Sequence, residues 1–425
     1  MSKKIHSIRK SQLIFNSGPG AIVDLSDFSG IVTGLECWDL DKVERMERRT
    51  RRGFTYLFKP PTIRSGYGGI PNYPHGVVPI KRFPTWVQCS NPECNIFGQF
   101  WHVKSQRNEF KCQRCDNKLV PARLIRICKH GHISDFPWHQ FYHDGGDICS
   151  FVEPKYRLVV SEQQSGSLND LRLFCECNRH PEGKNLVEVY SFPAGKVCGR
   201  RNQPWIDDGD GPCTVPAIVV LRGASNVYFP MVLSELTIPS SESKYDKFFA
   251  QEFSREIHTL RGLTNLKIRH EVIHDLLKPE IVTQFGIEKE QLVLKIEEYL
   301  NDDSGSSIFK DEESIRREEF DVLSNPTIVT EDIVPKLFSA NVVEVDSILQ
   351  RAGIDKIVAI SRLQEIRVLR GFLRADPKDG KMVDIGESVG GRYPAVEVNG
   401  EGLFISFNES QLNKWEKKTE CHREM

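Results

Sequence analysis

The residues with the clearest capacity for chemistry are paired cysteines. Cys89-x4-Cys94 is followed, after 17 residues, by Cys112-x2-Cys115. Two close thiol pairs separated by about 15–20 residues match a tetrahedral four-thiolate zinc site. Both thiolates of a pair reach one ion only from a tight turn, and Asn91-Pro92 and Gln113-Arg114 supply such turns. Four thiolates leave no open position, so this zinc would be structural. It would fold a segment too poor in apolar residues to fold alone. The alternative is four unrelated thiols.

Two weaker sets follow. Cys175-x-Cys177, 20 residues, Cys198, 14 residues and Cys213 form a second candidate centre with a tight first spacing. Buried, unliganded cysteines are its alternative. Cys128-x3-His132 and His143-x5-Cys149 form a third, with His130 and His139 competing as ligands. A zinc held there by only three protein ligands could activate water, with Asp135 or Asp144 as base or supporting group. Nothing else points to catalysis, because the chain carries no Walker A, G-x-S-x-G or H-E-x-x-H motif. Asp207-Asp208-Gly209-Asp210-Gly211 lacks the twelfth-position Glu of a calcium loop and reads as a solvated turn.

A second chemistry is polyanion binding. Residues 1–130 hold 22 Lys and Arg against 10 Asp and Glu, a net of +12, while residues 131–425 carry −13 of the total −1. Within the basic part, residues 44–52 contain five arginines: Arg45, Arg48, Arg49, Arg51 and Arg52. Tyr56, Phe58, Lys59 and Arg64 follow, and the first cysteine set is interleaved with Trp101, Lys104, Arg107, Phe110, Lys111 and Arg114. Guanidinium groups neutralise phosphates and rings stack on unpaired bases. The expected DNA contacts are Arg45, Arg48, Arg49, Arg51, Arg52, Lys104, Arg107 and Arg114. A solvated helix face over 41–52 and core rings elsewhere are the alternative.

The elements that must position these groups are read from periodicity. Residues 1–85 look like short strands and loops, with a turn at Ser17-Gly18-Pro19-Gly20. Residues 86–215 hold ten of the 12 cysteines and weak helix signals, which suggests short strands and knuckles around metals. Residues 216–330 combine a strand at Ala217–Leu221 with helices. Tyr245, Phe248, Phe249 and Phe253 share one helical face, and 287–300 is amphipathic. Residues 331–425 read as mixed, with 361–372 either helix or strand, a hairpin about Asn399-Gly400 and a helix from Ser410. The class expected is α+β: a multi-part, zinc-stapled chain with a β-rich N-terminal part and a helical and mixed C-terminal part.

Composition excludes some classes. Apolar residues make up 39% and charged residues 27%, as in soluble globular proteins. No run approaches the roughly 18 apolar residues a membrane helix needs. Met1–Lys10 is basic and lacks the apolar core of a signal peptide, so the expectation is a cytoplasmic chain with thiols available to metal.

Four blocks carry a family resemblance: RKSQLIFNSGPGAIVD (Arg9–Asp24), CKHGHISDFPW (Cys128–Trp138), LRGASNVYFP (Leu221–Pro230) and PAVEVNGEGLF (Pro394–Phe404). From Ile8 to about Trp415 the chain resembles the DrmB family, the helicase-partner subunits of the DISARM anti-phage system. The resemblance implies a partnership with a DrmA-like helicase subunit and engagement of DNA by the pair. It also implies a further C-terminal domain with its own cysteines, a pattern from which this chain, ending at Met425, departs. The expectation is a non-catalytic, zinc-binding, DNA-binding accessory subunit. Its rivals are a zinc-dependent nuclease or hydrolase on Cys128, His132, His143 and Cys149, and a pure protein–protein adaptor working through residues 244–321.

Overall fold

A computed structural model describes residues 8–26, 28–46, 50, 54, 56–61, 78–106, 110–145, 156–160, 167–200, 203–206, 212–238, 260, 266–279, 289–290, 292–293, 296–297, 312–326 and 338–416. The chain divides into two compact units. The first comprises Met1–Glu47, Tyr56–Leu233 and Val368–Val396; the second comprises Arg48–Thr55, Ser234–Arg367 and Glu397–Met425. Strands in several sheets stand beside a few helices, an α+β fold.

In the first unit, the segment LIRIC forms the strand Leu124–Cys128. Ile133–Asp135 pairs with it antiparallel on one side and Ala217–Leu221 on the other. Side chains of a strand alternate between faces, and here both faces are covered. Leu124 points into an aromatic core with Trp86, Phe97, Phe136, Trp138, Phe141 and Tyr156. Ile125 and Ile127 point into a second core with Ile31, Phe83, Ile133 and Val220. A six-stranded sheet flanks the aromatic core. In order, its strands are Lys184–Asn185, Leu171–Cys175, Tyr156–Val160, Ile96–Gln99, Trp86–Cys89 and Leu119–Pro121.

Asp135 ties these layers together. Its carboxylate accepts hydrogen bonds from the Thr85 amide (2.9 Å) and the Thr85 hydroxyl (2.7 Å), fixing the chain just before the strand Trp86–Cys89. Burial pushes its pKa up, against the hydrogen bonds that favour the charged form. Asp135 is therefore engaged as a structural clamp between these layers. Asp144 is likewise engaged, by Lys184 and by His180 (2.9 Å).

The second unit is richer in strand than its sequence suggested. Ser339–Val343 pairs with the first half of the 20-residue strand Ile354–Leu373, which settles 361–372 as strand. Phe338, Val358 and Ile360 form a core with Ile238, against which Val322, Leu323 and Phe404 pack. The expected hairpin about Asn399-Gly400 does not form. Arg392–Phe407 is one continuous strand, hydrogen-bonded to Ile354–Leu373, and Gln364 donates to the Asn399 side chain at 3.2 Å. A long neighbouring strand offers both halves a ladder, which outweighs the local turn preference. The helix foreseen from Ser410 is present as Glu409–Glu416, and helices occupy Leu266–Leu276 and Glu312–Ser324. At 289–297 the described residues are helical, with Leu292, Val293 and Ile296 buried. Tyr245, Phe248, Phe249 and Phe253 lie outside the described residues.

Replacing Asp135 with Ala is expected to destabilise the first unit by about 2–4 kcal/mol, since each of two hydrogen bonds to a charged acceptor is worth about 1.5–3 kcal/mol, less what water recovers at the half-buried Thr85. A denaturant midpoint equal to wild type would overturn this assignment.

Candidate metal centres

The first centre assembles as its spacing implied. Cys89, Cys94, Cys112 and Cys115 place their sulfurs within 4.8 Å of one another. The sulfurs of Cys89 and Cys115 are 3.3 Å apart, and those of Cys94 and Cys112 are 3.8 Å apart. Tetrahedral zinc with Zn–S near 2.3 Å has S···S edges of about 3.8 Å, so the donor set fits that ion. Each sulfur receives a backbone amide from two residues on: Asn91 to Cys89 and Arg114 to Cys112, both at 3.4 Å, Ile96 to Cys94 and Asn117 to Cys115. Burial pushes the Cys89 and Cys94 thiols up. Cys115, although burial opposes it, is lowered to about 6 by the Asn117 amide and side chain and by the neighbouring thiols. Without a cation the four sulfurs cannot all ionise; with one they are all ligands.

The other two sets exchange partners relative to the sequence reading. Cys128 and His132 gather with Cys198 and Cys213, not with His143 and Cys149. The Cys198 thiol donates to the Cys128 sulfur at 3.6 Å, and His132 Nδ1 lies 3.5 Å from Cys128 and 3.6 Å from Cys198. This shared proton holds Cys128 low and pushes Cys198 up to about 12. The cause of the regrouping is strand register. Ala217 pairs with Cys128, and a bridge joins Val197 to Pro216, so Cys198 and Cys213 arrive beside Cys128. His130 Nδ1 lies 3.7 Å from Cys213 at the exposed rim of this centre.

Cys175 and Cys177 join His143 in a third set. Tyr156 pairs with Cys175 and stacks edge-on against Tyr142, which brings the end of the helix Trp138–Tyr142 to the cysteine turn. His143 donates through Nδ1 to the His139 carbonyl at 2.7 Å, leaving Nε2 to face the Cys177 sulfur at 3.5 Å. Metal-ligating histidines are commonly oriented in this way. His139 itself bonds the Tyr156 hydroxyl at 2.8 Å and is not gathered into this set. Cys149, the expected partner of His143, lies outside the described residues.

One local signal marks these ligands. Among the described residues, five non-glycine positions have positive φ, and Asn95, Asp116, Asp144 and Asn178 each directly follow a member of a set. Asn and Asp tolerate the left-handed region better than other side chains, which lets the chain turn sharply off a ligand. Gly199 does the same after Cys198.

The expected DNA contacts are only partly visible. Arg45 is exposed on the strand Glu44–Arg45, with its guanidinium 5.4 Å from the centre of the Tyr56 ring. Lys104 lies over Phe100 at 5.7 Å, and exposed Arg114 sits in the second turn of the first centre. Arg48, Arg49, Arg51, Arg52 and Arg107 lie outside the described residues. Sequence reasoning passed over a groove of about 430 Å³ whose lining includes Arg126, Arg200, His139 and Gln140. No helix among the described residues is long and apolar enough to cross a membrane.

Residues 9–229 match a family model described as a domain of unknown function, DUF8724. The chain is also 31% identical over 363 residues to the DISARM protein DrmB of Bacillus paralicheniformis, an alignment covering 81% of this chain. The chain spans 62% of that relative's length. Similar to a DISARM protein along most of its length and matched by the family model over more than half of it, the chain belongs to the DUF8724 family.

Proposed function

We propose that this chain is a non-catalytic, zinc-binding and DNA-binding accessory subunit of a DISARM-like anti-phage defence system, acting beside a DrmA-like helicase in the cytoplasm. The observation that carries the reading is the 31% identity to a DISARM protein along most of the chain. The donor chemistry supports zinc: thiolates and imidazoles, no carboxylate, in sets of tetrahedral size. Cys149 is the proposed fourth ligand beside His143, Cys175 and Cys177. Two sets of four protein donors leave no coordination position for substrate, so the metals hold turns in place and the surface does the work.

Metal analysis of the purified protein is expected to return at least two zinc ions per chain, and three when Cys149 completes the third centre. Less than one per chain would overturn the reading. Replacing Cys112 with Ser should cost one zinc and unfold the surrounding turn, because structural zinc contributes on the order of 10 kcal/mol to such segments. Replacing Cys198 should release the ion shared with Cys128, while the ion at His143 stays. Loss of both together would mean that the two sets form one cluster.

DNA binding is read from charge. The +12 of residues 1–130 draws a polyanion to one end of the sequence. Changing Arg48, Arg49, Arg51 and Arg52 to Ala should weaken binding to all DNA sequences alike. It should flatten the slope of log affinity against log salt by about 0.9 for each duplex phosphate no longer neutralised, with zinc content unchanged. A variant that binds DNA normally but no longer binds the helicase would make the run a protein-docking segment and favour the adaptor reading.

A hydrolytic reading keeps one foothold, since His143, Cys175 and Cys177 are only three ligands among the described residues. A three-ligand zinc supplies an activated water. The purified chain is expected to show neither nuclease nor ATPase activity. Metal-dependent cleavage lost on replacing His143 with Ala, at equal stability, would reverse that expectation.

A further inference from the structure

Arg374 is among the largest fully buried side chains described, with no exposed surface. Its guanidinium donates three hydrogen bonds, all to backbone carbonyls: Nε to Gly131 at 2.8 Å, Nη1 to Val227 at 2.7 Å and Nη2 to Gly20 at 2.6 Å. None of these acceptors carries a charge, and burying a cation without a counter-charge is expensive. Burial lowers the Arg374 pKa to about 9, which leaves it a cation at neutral pH.

The acceptor Gly131 sits inside the ligand loop of the second centre, between Cys128 and His132. Its φ of +78° and its closeness to Val383, against which a Cβ would collide, admit only glycine. The same carbonyl also receives Nε2 of the buried Gln203 at 2.8 Å. On the loop's other side, Lys381 donates its amide to the Lys129 carbonyl at 2.7 Å, and Lys129 Nζ lies 3.3 Å from both Asp376 and Asp379. Residues 374–383 therefore grip the loop of a centre far earlier in the chain.

A divalent ion held by three thiolates and one neutral imidazole has a net charge of −1, and Arg374 bonds the carbonyl of Gly131 within the loop that joins two of those ligands, Cys128 and His132. We propose that Arg374 is the counter-charge and positioning residue of the Cys128–His132–Cys198–Cys213 centre, so that metal affinity there and docking of residues 374–383 are coupled. The proposal rests on the reading that this centre holds zinc. Removing the positive charge raises the cost of three thiolates, two of them buried, sharing one dication, so the ion leaves sooner. Changes in groups that orient ligands typically alter metal affinity about 10–100-fold.

The test uses the full zinc-loaded chain and follows release of zinc to a chromogenic chelator under native conditions. Arg374→Gln is expected to accelerate release of one zinc equivalent about 10–100-fold, with the remaining zinc unchanged. Arg374→Lys, which keeps the charge but not the three-pronged bonding, should release it more slowly than Arg374→Gln. A purely structural role predicts equal rates for the two variants, or faster release of every zinc, and either result overturns the proposal. In a Cys198→Ser background the fast phase should vanish. If Cys198→Ser instead retains all of its zinc, the centre holds no metal and the underlying reading fails along with the proposal. The wild-type chain supplies a second measurement that needs no Arg374 variant to fold. Withdrawing the Cys198-dependent zinc should speed hydrogen exchange at the amides of Ala375 and Lys381, because coupling is reciprocal. Unchanged exchange there also overturns the proposal.

Discussion

Cysteine thiols gathered in the interior repel one another once ionised and lose hydration whether or not they ionise. Everything in the middle of this chain depends on resolving that conflict. The sequence brings the sulfurs together in an arrangement that could hold a cation. Backbone amides point at them two residues on, and left-handed residues turn the chain away after them. At the second centre local apolar packing is too thin to do this. The cluster around the second centre contains Cys128, Cys198 and Ala217, with Cys213 and Val215 at its edge, so the ligands themselves are most of the core. A cation removes the repulsion and supplies the cohesion that a few small side chains cannot.

The strand Leu124–Cys128 carries this constraint into the rest of the first unit. Its register with Ala217–Leu221 places Cys128 at the ligand end, while Leu124 enters the aromatic core and Ile125 and Ile127 the aliphatic one. A slip of one residue would send the isoleucines to the wrong face and move Cys128 out of reach of Cys198 and Cys213. A metal bound by this set would thus select the same register as core packing does. The half-buried Asp135 clamp reinforces it by fixing the paired strand Ile133–Asp135 to Thr85, at the start of the sheet that carries the first centre.

The parts of this arrangement legible in the sequence are those closed by short loops. Cys89, Cys94, Cys112 and Cys115 lie within one compact stretch, and their spacing alone identifies the set. Cys198 and Cys213 reach Cys128 only through pairing between strands far apart in the chain, which no local spacing encodes. Nearness in sequence therefore groups them with Cys175 and Cys177, which lie at the end of a strand of a different sheet and in the turn after it. The left-handed residues Asn178 and Gly199 mark where the chain turns off a ligand, although not which ligands converge. The same contrast explains Asn399-Gly400. The dipeptide favours a turn, but the neighbouring strand Ile354–Leu373 is long enough to hold both flanks extended, and propensity yields to tertiary pairing.

Closed metal sites have a consequence for where function resides. A centre whose four positions are filled by protein cannot bind substrate, and what it contributes is the fixed placement of exposed groups beside it. In the first centre Arg114 occupies the turn itself, so its backbone is anchored directly beside the ligand Cys115 while its guanidinium stays in solvent. Lys104 is held nearby through Phe100, which packs in the core of the same centre. A flexible loop carrying the same cations would lose conformational entropy on meeting a phosphate backbone, whereas a metal-pinned turn has already lost it. Zinc bound at this set, as proposed, would thus pre-organise the cations of a basic, aromatic-rich segment for contact with a polyanion.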